Sequence, residues 1–380
     1  MRTPKDSDNL VIPEYGRASL VEMLPSIGAH LGLKGAQDFL GLPQTGKYIV
    51  LLIDGLGWFQ FQKCLDYCPF LAQLGEVATG ITAPLPSTTA TSMTSLGTGL
   101  PPGSHGVAGY SFRYNGELLN ALHFPKDVRG LDLQPQLTYV ERLVSSGVSF
   151  FVVSQRRFEK SGLTEVALRG TKFLSTGDSP LVDTQAELAL DAAGMPESAV
   201  VFVYESRVDK AGHAYGVGSD EWLRSLSAAD VLGQMLFEGL DENTSLVITA
   251  DHGMVNIPSE NRVTAQDYPD ALDGVSLLGG EGRFRHIYTE IGADSSVVQA
   301  WGEILGDRAE VVLKEQAIAE GWFGSVSPQV ADRFGDVLVA CRRDYAFMTK
   351  EQPNEYKLVG MHGSRTAAEL LVPLITGTNN

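Results

Sequence analysis

Lys47-Tyr-Ile-Val-Leu-Leu-Ile-Asp54, followed by Gly55-Leu56-Gly57, is the stretch on which the fold turns. Tyr48–Ile53 runs without polar alternation, so both faces of the segment are apolar. A strand of this kind belongs in the middle of a parallel sheet covered by helices on both sides. It ends in an acid, and open α/β sheets bind their ligands at the carboxyl ends of their strands. Asp54 therefore either caps the following helix or serves as a ligand, and this stretch leaves both open.

Matching strands recur along the chain: Ser149–Val153, AVVFVY at 199–204, SLVITA at 245–250 and a closing strand, Leu370–Ile375. Two of them lead into further acid and imidazole side chains. Asp209 and His213 are four residues apart, on a loop or a distorted helical turn, and Asp251 and His252 are adjacent. A parallel sheet brings such residues to one edge, and His362 stands just before the closing strand. Mixed carboxylate and imidazole donors suit zinc or manganese, whereas calcium and magnesium favour oxygen alone. Asp54, Asp209, His213, Asp251, His252 and His362 suffice for two metal ions with three ligands each. The predicted class is thus α/β, a large mostly parallel sheet flanked by helices.

Between the first two of these strands lies Pro86–His105, PSTTATSMTSLGTGLPPGSH. Eight of the thirteen residues from Pro86 to Thr98 carry a hydroxyl, and Ala90, Met93 and Leu96 recur every third position. That spacing predicts a helix beginning near Ser87–Thr89, because Pro84 and Pro86 keep the preceding chain out of helical conformation. A threonine at such a start lies among unpaired N–H groups at the positive end of a helix dipole, a setting for a phosphate. A plain Ser/Thr-rich cap on a buried helix accounts for the stretch as well.

Elsewhere the spacing predicts helices over 19–31, 58–74 and 219–240 and a hairpin at Asn115–Gly116. Residues 255–360 alternate strands near 283–289, 310–313 and 336–340 with helices near 296–305 and 314–320. They read as a smaller α/β subdomain inserted into a core of 1–254 and 361–380. Arg283, Arg285 and His286 within it either contact an anionic substrate or lie on an ordinary strand with exposed charges. With 46 acidic and 29 basic side chains the net charge is −17, which argues against binding a nucleic-acid polymer or an anionic membrane. Cys64 and Cys68, at i, i+4, read as buried thiols, and with Cys341 they form no disulfide framework. The polar N-terminus lacks the apolar run of a signal peptide, and no segment approaches the length of a membrane span, so a cytoplasmic location is expected.

In order along the chain, LLIDGLG (51–57), PSTTATSMTSLGTGLPPGSHG (86–106), VDKAGH (208–213), ADHGM (250–254) and MHG (361–363) resemble the motifs of the alkaline phosphatase superfamily. The branch they are most similar to is that of the nucleotide pyrophosphatases/phosphodiesterases. The resemblance implies a phosphodiester or pyrophosphate hydrolase with two divalent ions, zinc first and manganese or iron as alternatives. Its substrate would be a small phosphate ester, with a nucleotide among the candidates. Alignment on Gly99 and His105-Gly106 puts Thr89, rather than Thr88, at the family's nucleophile, attacking to form a phosphothreonine. Asp54, Asp251 and His252 would hold one ion together with the Thr89 hydroxyl, and Asp209, His213 and His362 the other. His105 would be structural. Where nucleotide-cleaving members carry an asparagine that holds a phosphoryl oxygen, this chain has Tyr110, whose hydroxyl donates from a different reach. The alternatives are a phosphomonoesterase or phosphonate hydrolase of the same superfamily, or a metal-dependent binding protein without turnover. The Cys/Ser-x-Pro-x-Arg sequence of sulfatases is absent.

Overall fold

The computed structural model describes residues 7–75, 79–178 and 181–379. Lys47–Ile53 is the middle strand of a seven-stranded sheet and is buried along its whole length. The spatial order is Thr79–Thr82, Leu371–Thr378, Thr244–Thr249, Lys47–Ile53, Ala199–Glu205, Ser149–Ser154, Lys172–Ser175. Only Leu371–Thr378 runs against its neighbours. Lys47 lies opposite Ala199 on one side and Thr244 on the other, both in parallel register. Three central strands therefore reach the same edge together, and the residues just beyond them meet there.

The helices follow their apolar spacing. Asp220–Glu238 begins at Ser219, whose hydroxyl accepts from the Trp222 N–H, and buries Trp222, Leu226, Ala229, Leu232 and Leu236. The helix expected over 58–74 is broken into Trp58–Lys63, a 3₁₀ turn at Leu65–Tyr67 and Pro69–Leu74. Proline has no N–H to continue a helix but suits the first turn of a new one, and Pro69 opens the second segment. Cys64 and Cys68 consequently do not share a helix face; Cys68 is buried, Cys64 half-buried, and both are free thiols.

A second sheet, all antiparallel, has the order Val275–Glu281, Phe284–Thr289, Val337–Cys341, Ala309–Leu313. Alternation sends its side chains two ways. Phe284, Leu338 and Ala340 join the core of the large sheet. Ile287, Val337, Val339 and Cys341 face a separate cluster with Val297, Trp301 and Leu305 of the helix Asp294–Leu305. Val275–Glu281 was missed because its glycines interrupt the apolar pattern.

Arg283, Arg285 and His286 meet neither expectation. All three are buried. Arg283 makes a two-pronged bond to Glu369, with Nε to Oε1 at 3.0 Å and Nη2 to Oε2 at 2.7 Å. Arg285 pairs with Glu355 and donates to the Phe347 carbonyl at 2.8 Å. Arg283 thus ties the second sheet to the short helix Ala367–Leu370 before the closing strand, and Arg285 ties it to the segments Ala346–Met348 and Pro353–Lys357. Among the described residues no helix is long and apolar enough to cross a membrane.

His286 is held between the Ala108 carbonyl, 2.7 Å from Nε2, and the Gly335 N–H, 3.1 Å from Nδ1. Burial lowers its pKa to about 4, and burial, followed by the Arg333 charge, lowers that of His105 to about 3. Both stay neutral in the folded chain, whereas in the unfolded chain a histidine takes up a proton below about pH 6.5. The unfolded state then binds more protons, so stability present above pH 6.5 is lost progressively as the pH falls toward 4. The melting temperature should drop across that window. His286→Gln, which keeps both hydrogen bonds and cannot titrate, should flatten the drop.

Candidate active site

Asp54 extends the central strand by one residue, and its N–H still pairs with the Glu205 carbonyl at 2.9 Å. Asp251 and His252 follow Thr244–Thr249 and are fully buried. Gly57 and Gly253 let the two turns nest. A Cβ on Gly57 would come 2.8 Å from the Gly253 Cα, and one on Gly253 would come 1.9 Å from the Ala368 carbonyl oxygen. Asp209 and His213 lie on a regular helix, Arg207–Tyr215, which puts them one turn apart on the same face. His362 follows the short strand Gly360–Met361, which pairs with Val255–Asn256.

All six converge. His252 Nε2 is 3.5 Å from Asp54 Oδ1 and 3.5 Å from Asp251 Oδ2. His213 Nε2 is 3.3 Å from Asp209 Oδ1 and 3.2 Å from His362 Nε2. Asp54, Asp251 and His252 form one compact group of ligand atoms, and Asp209, His252 and His362 another. His252 thus stands between the two, its ring stacked on His362 at 3.7 Å.

Each imidazole has its Nδ1 against a backbone carbonyl: His213 on Gly360 at 2.8 Å, His252 on Gly253 at 3.0 Å and His362 on Ser87 at 2.9 Å. Carbonyls only accept, so Nδ1 carries the proton and every Nε2 turns a lone pair inward. Asp54 Oδ1, Asp209 Oδ1 and Asp251 Oδ2 are buried there without a hydrogen-bond donor among the described residues. The convergence of lone pairs and carboxylate charge is visible in the titration of the groups. Burial, then the charges of Asp209 and Asp251, pushes the Asp54 carboxyl well above the usual carboxylate range, although the Tyr204 hydroxyl donates to it. Burial, with His252 and His213 adding, pushes His362 well below the usual imidazole range. A divalent cation relieves both. A tetrahedral ion with ligand bonds near 2.0–2.2 Å spaces its ligand atoms about 3.3–3.6 Å apart, and the contacts above match that spacing. The residues present fit a metal site.

Thr89 opens the helix Thr89–Thr98, and its Oγ1 is 3.2 Å from His252 Nε2. The neighbouring hydroxyls are occupied elsewhere: Ser87 with the Ser364 carbonyl at 2.6 Å, Thr91 with that of Val107 at 3.4 Å, and Ser92 with that of Asp251 at 2.7 Å. Thr94 and Thr98 bond back to Ala90 and Thr94, and Ser95 pairs with His105 Nε2 at 2.9 Å. His105, buried and also accepting from the Val107 N–H at 3.1 Å, is structural.

Beside Thr89, Asp54 and Asp209 opens a cleft of about 440 Å³. Met93, Leu163, Leu168, Phe173 and Phe202 form much of its wall, and the exposed cations Arg157 and Lys210 also line it. Tyr110 lies outside that lining, half-buried beside Asn120.

The profile of type I phosphodiesterases/nucleotide pyrophosphatases matches residues 48–365, from the central strand to just beyond His362. The chain belongs to this family. The type I phosphodiesterases/nucleotide pyrophosphatases are metal-dependent phosphoric ester hydrolases, which agrees with the donor set at the sheet edge. Murine ectonucleotide pyrophosphatase/phosphodiesterase 5, in an inactive form complexed with AMP, superposes with a TM-score of 0.66 at 17% identity, covering 86% of this chain and 87% of that one. The human counterpart gives 0.67 at 19% identity over 87% of each chain. These likenesses establish the alkaline-phosphatase-like fold. A stretch of 122 residues is 30% identical to GPI ethanolamine phosphate transferase 1 of Aspergillus oryzae, covering 30% of this chain and 12% of that protein.

Sequence reasoning missed Tyr204, Arg157 and Lys210. Tyr204 was legible as the polar-tipped end of AVVFVY, one strand over from Asp54. The two cations became visible only once the chain was folded. Because three carboxylates each turn a buried oxygen into the site, divalent metal should raise the melting temperature; at 100 times its dissociation constant one ion contributes about 2.7 kcal/mol. Asp209→Asn should lower the measured metal content and shrink that rise.

Proposed function

We propose that this chain hydrolyses phosphodiesters or pyrophosphates through Thr89, which is transiently esterified. The observation that carries the reading is the Thr89 hydroxyl itself, set at a helix start and turned to His252 while those of Ser87, Thr91 and Ser92 bond elsewhere. Two divalent ions, zinc first and manganese or iron as alternatives, would be held by Asp54, Asp251, His252 and Thr89 and by Asp209, His213 and His362; they would supply the Lewis acidity that lowers the hydroxyl pKa and offsets phosphoryl charge.

The chain's own groups do the rest. Carbonyls fix the three imidazoles, the sheet edge fixes Asp54 and Asp251, and the helix Arg207–Tyr215 fixes Asp209, so little reorganises during reaction. First-turn amides of Thr89–Thr98 face the position of the phosphoryl oxygens. A bond forms from Thr89 Oγ1 to phosphorus as the ester or anhydride P–O bond breaks and the leaving oxygen departs. Water then cleaves the phosphothreonine and restores the hydroxyl. The cleft takes the organic group against its apolar wall, and Arg157 and Lys210 supply positive charge that the chain as a whole lacks. A nucleotide is a candidate substrate, as the AMP bound by the murine relative suggests, and Tyr110 is assigned to a phosphoryl oxygen in place of the family's asparagine. The division into a core of 1–254 with 361–380 and an insert of 255–360 belongs to the same reading, supported by the insert's separate apolar cluster.

With metal present, bis-p-nitrophenyl phosphate should turn over faster than p-nitrophenyl phosphate; the reverse order would make the enzyme a monoesterase. Thr89→Ala should retain the metal and lose activity by about a thousandfold or more. Full activity in that variant would remove Thr89 from the mechanism. Arg157→Ala should raise KM by about tenfold with kcat little changed, the pattern of lost uniform binding.

A further inference from the structure

The floor of the cleft is a piece of the large sheet. Val152 and Ser154 of the strand Ser149–Ser154 line it, together with Phe202 and Tyr204 of Ala199–Glu205. The two strands are parallel, with Val152 opposite Phe202, and alternation turns these four side chains to one face of the sheet. Ser154 and Tyr204 stand near the carboxyl edge, where Asp54 is, and Val152 and Phe202 lie further from it. Met93, Leu163, Leu168 and Phe173 close the sides. The helix Gly162–Ala167 packs tightly against Thr89–Thr98: a Cβ on Gly97 would come 1.9 Å from the Ala167 carbonyl oxygen. The slot therefore has fixed and largely apolar walls.

Six residues of the lining carry a hydroxyl: Thr89, Ser154, Ser161, Thr164, Tyr204 and Ser206. Five of these hydroxyls have partners. Thr89 Oγ1 is 3.2 Å from His252 Nε2, and Tyr204 donates to Asp54. Ser161 pairs with Thr164 at 3.1 Å, Thr164 donates to the Phe158 carbonyl at 2.7 Å, and Ser206 accepts from Lys210 Nζ at 2.8 Å. The sixth is Ser154. This residue is 3% exposed, and its Oγ has no hydrogen-bond partner among the described residues. Its backbone carbonyl accepts from the Thr176 N–H at 2.9 Å, so the main chain is held while the side chain is left over.

Resting on the reading of this cleft as the place of the substrate's organic group, we propose that Ser154 is a specificity-determining residue whose hydroxyl meets a hydrogen-bonding substituent on an otherwise apolar arm of the phosphodiester. An arm that fills the slot displaces water from the floor and leaves the Ser154 hydroxyl only the arm itself to bond to. A wholly apolar arm strands that hydroxyl in a dry site. An arm with a hydroxyl, ether or amide at the depth of Ser154 pairs with it, and such a site discriminates far more sharply than apolar contact alone. The substrate class is a phosphodiester whose arm is apolar along most of its length and polar at one point. Ser154 makes no bond to any candidate metal ligand, so it acts on which arm is accepted and not on the breaking of the P–O bond.

The test uses symmetric diaryl phosphates, so that either arm presents the same group to the slot. Metal-loaded wild type, Ser154→Ala and Ser154→Thr are compared on pairs matched in size: ditolyl against bis(hydroxyphenyl) phosphate, and bis(ethylphenyl) against bis(hydroxymethylphenyl) phosphate, each substituted meta or para. In wild type the hydroxylated member of at least one pair should be favoured in kcat/KM by about tenfold relative to the same pair in Ser154→Ala. Leaving-group differences are common to both proteins and cancel in that comparison, and a merely structural role for Ser154 moves both members of a pair together. Ser154→Thr, which keeps the hydroxyl and suits a strand, should retain the preference. Calorimetric binding of the matching arylphosphonates, which have no ester bond to cleave, repeats the comparison without turnover. A preference absent from every pair in wild type, or one that survives in Ser154→Ala, overturns the proposal. A wild-type protein that cleaves no phosphate ester overturns the functional reading instead, while the phosphonate pairs still report on Ser154.

Discussion

Three carboxylates packed side by side at the edge of a sheet repel one another, and the whole molecule is arranged around tolerating that repulsion. Asp54, Asp209 and Asp251 each bury an oxygen that no donor reaches, and burial leaves those charges little screening from water. Imidazoles with lone pairs turned inward add to the demand for a cation. A parallel register of three strands is the cheapest way to hold such groups together, because strand ends in register need no loop of unusual shape to converge. The helix Arg207–Tyr215 then adds its two side chains from one face.

The second principle of the site is the sorting of hydroxyls. A run of serines and threonines is ordinarily poor helix material, since these side chains compete for backbone partners. Here the competition is resolved one residue at a time. Thr94 and Thr98 bond back within their helix, Ser92 and Thr91 brace adjoining segments, and Ser95 fixes His105. Thr89, the first residue of the helix, keeps its hydroxyl turned to His252. Chemical identity in this run is uniform, and reactivity is assigned by position.

Much of this was legible beforehand. The uninterrupted apolar run of Lys47–Asp54 announced a covered parallel strand, and strand-terminal acids announced its functional edge. The proline pair before Ser87 placed the helix start to within a residue or two. Other features were not legible, for identifiable reasons. Pro69 divides what periodicity joins into one helix, because apolar spacing continues across the break. For Arg283, Arg285 and His286 the sequence offered substrate contacts or exposed charges on an ordinary strand, since burial of an arginine depends on a partner as remote as Glu369, which no local pattern reveals.

The placement of Leu371–Thr378 has a consequence for how the chain is made. This last strand is inserted between Thr79–Thr82 and Thr244–Thr249 and joins them, and His362 enters only a few residues earlier. During synthesis from the N-terminus, the chain must emerge as far as Leu371–Thr378 before the sheet is continuous, and as far as His362 before the sixth candidate ligand is in place. Until then Thr244–Thr249 presents an unpaired edge of the kind that recruits foreign strands. The interval between the emergence of Thr244–Thr249 and that of Leu371–Thr378 spans the whole second sheet, and a chaperone or rapid docking of the late strand would be most valuable during it.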